Sequence, residues 1–271
     1  MARPPKRRNR RRLVKQVWPR TEARSYFDDL RAILAVLHQL VNAALERELR
    51  AILTEAPRRD ERQDAVSDRI SRMIGGIKVT FGQRISESRL REAARKAGNR
   101  VAQNQRKQLD RQVKIATGID PFLVDIHMPE HIDLFVKENV SLITSVAEKS
   151  FSEIEQIVTR GARSGTGAEG ISKLIQKRFE VAESRANLIA RDQTAKLFGE
   201  INELRQRELG VDGYTWRTSQ DERVRARHEF LDGKPQKWSK PPIVDVKSGR
   251  RAHPGFDYQC RCVAEPILPE D

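Results

Sequence analysis

The sequence predicts a mainly α protein, with an elongated helical N-terminal region followed by a small α+β C-terminal domain. Three observations lead there. Apolar residues recur at three- and four-residue steps along long stretches before residue 160. Of the 271 residues, 38% are hydrophobic, 33% charged and only 6% aromatic, a balance that suits long helices with one solvated side. Strand-forming Tyr214 and Trp216, with turn-forming glycines and prolines around them, gather after residue 210.

Each element follows from its own pattern. Tyr26, Leu30, Ile33, Leu37, Leu40 and Ala44 form one apolar stripe from about Thr21 to Thr54, which Pro57 closes. A second helix runs from Arg59 to Ile74 and ends at Gly75-Gly76. A third spans Ser86 to Ala116, with sparse apolar marks at Leu90, Ala94, Val101 and Leu109, and is broken by Gly118 and Pro121. The fourth begins near Pro129, a residue suited to the first helical turn, and carries Ile132, Phe135, Ile143, Phe151 and Ile154. The small-residue run Gly161 to Gly167 reads as a flexible linker and a domain boundary. Beyond it come a short helix at Ile171 to Phe179 and a longer one at Glu183 to Leu209, stopped by Gly210 as a C-cap. Val211 to Thr218 reads as a strand, Glu222 to Phe230 as one or two helical turns, and Val263 to Leu268 as a closing strand. The expected domains are therefore a basic disordered arm at 1–20, which has no apolar period, a helical region at 21–160 and a C-terminal domain at 161–271.

The net charge of +14 is unevenly placed. Residues 1–20 hold nine basic side chains and no acid, leaving 43 basic against 38 acidic residues in the rest. A basic tail on a nearly balanced body reads as an arm for polyanions. Arg7, Arg8, Arg10, Arg11 and Arg12 are the candidate phosphate contacts. If six of the arm's nine cations engage double-stranded DNA, the slope of log affinity against log salt is about −5, read by titrating DNA at several salt concentrations. A slope near zero removes the arm from DNA binding and leaves a solubilising tail or an arm for an acidic protein face. No run approaches the ~18 apolar residues of a membrane span, and the basic N-terminus lacks a signal peptide's apolar segment. The expectation is a soluble protein made in the cytoplasm.

Cys260 and Cys262, one residue apart, do not make a secreted disulfide framework, and a bridge between them is strained. On an extended segment, residues two apart face the same side, so both thiolates meet one ion. His228 and His253 supply nitrogen ligands that complete a tetrahedral set for one structural zinc ion. The plainer alternative makes the cysteines small buried hydrophobes and the histidines partners of backbone. Asp221, His228 and Asp232 also admit an enzyme reading, a metal-dependent nuclease or other hydrolase, since a carboxylate–imidazole pair acts as a general base or holds a divalent ion. Against it, Leu231-Asp232-Gly233 makes a good turn and Asp221 a good cap, and no complete nucleophile–base–stabiliser set is visible. Tyr214, Trp216 and Trp238 read either as base-stacking platforms or, more commonly, as the core of a small domain.

Several blocks together resemble the phage Mu F-like head morphogenesis family: Asn187 to Thr194, then Trp216-Arg217-Thr218, Asp221 to Arg225, His228, Leu231-Asp232-Gly233, and His253-Pro254-Gly255 through Cys260-Arg261-Cys262 to Pro266. The resemblance covers about residues 165–268. It implies a minor capsid component of a tailed phage, needed for assembly, with the portal protein, other head proteins and double-stranded phage DNA as partners. It implies a place in the virion, at the head interior or portal vertex, and no membrane. It brings no catalytic mechanism. Arg191-Asp192-Gln193 stands where some members carry Arg-Thr-Glu, so no role needing a carboxylate at 193 carries over.

Overall fold

The structure, a computed structural model, describes residues 15–55, 61–121, 123 and 125–268. The candidate phosphate contacts Arg7, Arg8, Arg10, Arg11 and Arg12 lie outside the described residues, as does Pro57. Five long helices come first among the described residues: α1 (Arg20–Glu55), α2 (Glu61–Arg84), α3 (Glu87–Thr117), α4 (Met128–Ser164) and α5 (Ala168–Glu208). A small sheet-containing region follows, with β1 (Gly213–Arg217), α6 (Ala226–Leu231), β2 (Pro235–Lys237), β3 (Ile243–Asp245), β4 (Arg250–Arg251) and β5 (Val263–Pro266). The mainly α class with a small α+β end is borne out. No helix among the described residues is long and apolar enough to cross a membrane.

Three boundaries differ from the sequence expectation. Gly75-Gly76 does not end the second helix; α2 runs through it to Arg84. The apolar stripe continues from Ile70, Met73 and Ile74 to Ile77. Burying such a side chain is worth roughly 1.5–3 kcal/mol, more than the ~1 kcal/mol a helical glycine costs. The expected linker also shrinks, because α4 keeps Gly161 inside it. A Cβ there would stand 2.5 Å from Ile171 Cδ1, so this glycine serves a close helix–helix approach. Finally, the two helices expected at 171–179 and 183–209 are one, since nothing between Phe179 and Glu183 breaks a helix. Gly210 does cap it: at φ +73° it lets Val211 N–H reach Gln206 O at 2.8 Å and its own N–H reach Arg207 O at 2.9 Å.

The chain forms two compact units. One is helical, built from Arg20–Gly98 and Ile132–Gln193. Its core joins Leu37, Val41 and Leu49 of α1, Ile70 and Ile74 of α2, Phe151 and Ile154 of α4, and Ile171 and Ile175 of α5. A buried polar chain crosses it: Tyr26 O–H donates to Asn139 Oδ1 at 3.0 Å, and Asn139 Nδ2 donates to Gln193 Oε1 at 3.2 Å. Gln193 Nε2 in turn donates to Glu138, so an amide here both accepts and donates, which a carboxylate cannot do.

The other unit contains the strands and is assembled, among the described residues, from 15–19, 99–131 and 194–268. Its three-stranded sheet has the order β2-β1-β5, antiparallel throughout, with Trp216 opposite Ala264. The two-residue alternation of β1 turns Tyr214 and Trp216 into the core, where Leu231, Trp238 and Val244 join them. Strands β2, β3 and β4 are too short to leave a period in the sequence. Beneath the sheet lies a polar hub on α5. Asn202 Oδ1 accepts from Gln16, Gln105 and Gln206, and Asn202 Nδ2 donates to Ala264 O at 2.7 Å. Arg205, buried beside it, spreads its donors over Ala102 O, Gln105 Oε1 and both Asp125 oxygens. Burial opposes ionisation of Asp125, yet Arg205 and Arg106 together hold its carboxyl below the usual range. Arg205 and Asp125 satisfy one another's charge, which is what lets Arg205 stay buried.

Candidate metal centre

The sheet-containing unit brings three of the four expected ligands together. His228 comes from α6, a six-residue helix entered from Arg225 in extended conformation. Cys260 and Cys262 come from the segment that leads into β5. A tight turn places Cys260: its N–H reaches Asp257 O at 3.0 Å across Gln259, which sits at φ 49°. The segment then runs extended, so the two thiols face inward while Arg261 between them turns outward to Asp221 at 2.6 Å. One ligand atom from each of His228, Cys260 and Cys262 lies within 4.8 Å of the others, and all three residues are buried. His228 Nδ1 is the nitrogen on the sulfur side, 3.5 Å from Cys262 Sγ and 3.7 Å from Cys260 Sγ.

The surroundings favour negative charge on one sulfur of the pair. Cys262 shares its proton toward Cys260, and this bond, with His228 close by, holds the Cys260 thiol well below its ordinary range despite burial. The Cys262 thiol is pushed up, by its bond to Cys260 and by burial. The buried Trp216 indole N–H makes no ordinary hydrogen bond, and its field falls on Cys262 Sγ, favouring thiolate there. Trp216 also stands edge-on to the His228 ring, centroids 5.3 Å apart. Such a pair of soft sulfurs and an imidazole, walled by Trp216 and Leu231, can hold a metal ion. It supplies three donors of a tetrahedral set; among the described residues no fourth His, Cys, Asp or Glu joins the group.

His253 lies outside that group. Its Nδ1 meets Tyr214 O–H at 2.8 Å, and its ring packs on Trp238 with centroids 4.9 Å apart. Burial pushes the His253 imidazole down and keeps it neutral. The residues of the enzyme reading each have other partners. Asp232 accepts Thr218 N–H at 2.8 Å in a turn, and His228 faces Asp257. Asp221 takes Arg223 N–H and Arg261; these outweigh its partial desolvation and hold its carboxyl low. Tyr214, Trp216 and Trp238 are fully buried as core, which leaves none of them a face for stacking a base.

Sequence reasoning passed over Asp257. Its side chain is 1% exposed and meets Arg225 at 2.6 Å, Arg250 at 2.8 Å and His228 at 3.1 Å. The available signal was a lone acid three residues before Cys260 in a segment otherwise rich in arginine. It also passed over the role of Gly255, which lies at φ +91° against α5.

Residues 152–265 match the family described as Phage Mu protein F like protein. A protein of Haemophilus influenzae described as "Uncharacterized protein" is 32% identical over 159 residues, covering 58% of this chain and 34% of that protein. The chain thus spans about a third of that relative's length. No solved structure matches. The resemblance carried by the blocks at about 165–268 is borne out, and the matched region begins earlier, inside α4, and takes in His228, Cys260 and Cys262.

Proposed function

We propose, from the Mu F-like match, that this is a minor capsid protein of a tailed bacteriophage, acting in procapsid assembly at or near the portal. Residues 161–271 are its head morphogenesis domain, and its partners are the portal protein and other head proteins. The arm carrying Arg7, Arg8, Arg10, Arg11 and Arg12 contacts packaged double-stranded DNA through phosphate charge, without base specificity. The match over residues 152–265 is the observation that carries this reading. The unevenly placed charge supports the DNA contact.

Within that function the buried His228, Cys260 and Cys262 hold one zinc ion in a structural role. Paired thiolates with an imidazole favour zinc over the hard, oxygen-seeking cations. The ion would tie α6 to the approach to β5, in a unit whose described sheets have three and two short strands. No catalytic residue is assigned.

Quantitative mass spectrometry of purified heads tests the proposal. The protein is expected in every preparation of mature heads, at a few copies per particle. An asymmetric reconstruction is expected to find it at the portal vertex. Heads that contain portal and major capsid protein but lack this chain overturn the assignment.

A further inference from the structure

The His228 ring is gripped from the side away from the thiols. Its Nε2 lies 3.1 Å from Asp257 Oδ2, while Nδ1 faces the two sulfurs. Asp257 is held in turn on both oxygens. Arg225 Nη1 donates to Oδ2 at 2.6 Å, Arg250 Nη2 reaches Oδ1 at 2.8 Å, and Tyr258 N–H donates to Oδ1 at 2.9 Å. Arg225 also donates to Tyr258 O at 2.6 Å, which ties it to the same loop. Both carboxylate oxygens are therefore acceptors, and the ring nitrogen that faces one of them must carry the proton. In the neutral ring that would ligate an ion, the opposite nitrogen then has its lone pair free, facing Cys260 and Cys262.

We infer that Asp257 is a positioning residue for the metal centre: by accepting the Nε2–H of His228 it fixes the tautomer whose Nδ1 ligates the ion with Cys260 and Cys262, while Arg225 and Arg250 hold the carboxylate still. The inference rests on the zinc reading above. It follows from the general behaviour of metal-bound imidazole, whose second nitrogen donates to an oriented acceptor that sets ring angle and basicity. The arrangement needs three separate pieces of chain to meet, Arg225 and His228 at α6, Arg250 on β4, and the Asp257 loop. A carboxylate that only neutralised the two arginines would not need to meet the imidazole edge.

The test uses the full-length protein with Zn(II) or Co(II) as the probe, and a competing chromogenic chelator to read affinity. Asp257→Asn keeps the side-chain size but can present an amide N–H, so the ring is no longer forced into one tautomer. Zinc affinity is expected to fall roughly 10–100-fold. In the zinc-loaded wild type, long-range proton–nitrogen NMR of the His228 ring is expected to show the proton on Nε2. If Asp257→Asn does not fold, Arg250→Gln stands in for it: this side chain is 39% exposed on β4, and its loss is expected to weaken zinc binding a few-fold. A purely structural Asp257 lowers the melting temperature without metal but leaves zinc affinity and tautomer unmoved, and that result overturns the inference. So does a wild-type ring protonated on Nδ1. A wild type that binds neither ion stoichiometrically sinks the zinc reading first, and the role of Asp257 with it.

Discussion

Cys260→Ser and Cys262→Ser are each expected to lower the melting temperature of the sheet-containing unit by about 15 °C, and a chelator is expected to do the same to the wild type. An ion present at about 1,000 times its dissociation constant adds roughly 4 kcal/mol to the folded state. In a domain of this size, each kcal/mol moves the melting temperature by about 3–5 °C. Serine keeps the volume but is a far poorer zinc ligand than thiolate, so the ion's contribution is what disappears. Thermal melts with and without chelator, alongside the metal content of each sample, measure it. The competing view, in which the thiols merely fill space under Trp216, makes a different forecast. Chelation then changes nothing, and alanine in place of either cysteine costs only about 1–2 kcal/mol through the small void it leaves. A wild type indifferent to chelator overturns the structural ion.

Gly255→Ala is expected to cost about 3–5 kcal/mol in urea unfolding of the same unit, from a backbone conformation that disfavours side chains and a clash that cannot relax. At φ +91° the residue lies in the left-handed region, and a Cβ would stand 2.8 Å from Ala195 O and 3.2 Å from Gly199 Cα. Those atoms belong to the backbone of α5, which does not step aside as a flexible side chain does. Gly199 makes the reciprocal demand, since its Cβ would fall 2.7 Å from Pro254 O. The loop that begins at His253-Pro254-Gly255 thus lies backbone against backbone on the helix. Gly249→Ala provides the control. It shares the positive φ, at +70°, but a Cβ there meets nothing within 4 Å, so only the conformational cost of about 1–2 kcal/mol remains. Equal losses at the two positions would show that the close approach contributes nothing.

What could be read from the sequence follows the range of each physical signal. The stripes on α1 and α4 repeat over several turns, so the helices declared themselves, and the step from Cys260 to Cys262 put two thiols on one side of an extended chain. Gly161 misled because a glycine that frees the backbone and one that admits a neighbouring helix look the same until Ile171 is seen against it. His253 was plausible as a ligand by residue type, but its buried partner is the Tyr214 hydroxyl, 39 positions away. Asp257 stayed hidden for the same reason. Its meaning depends on Arg225 and Arg250, which only the folded loop brings to it.

The Asn202 hub has a consequence for the order in which the chain matures on the ribosome. Gln16 is 186 positions upstream of Asn202 and the Ala264 carbonyl 62 positions downstream. Both stretches of the helical unit have emerged by Gln193, so their apolar stripes can meet first. At the usual pace of synthesis the last acceptor for Asn202 follows it by roughly 3–12 s. Through that interval Asn202 Nδ2 and Gln206 Nε2 lack the Ala264 carbonyl that accepts from both, and water stands in for it until β5 arrives.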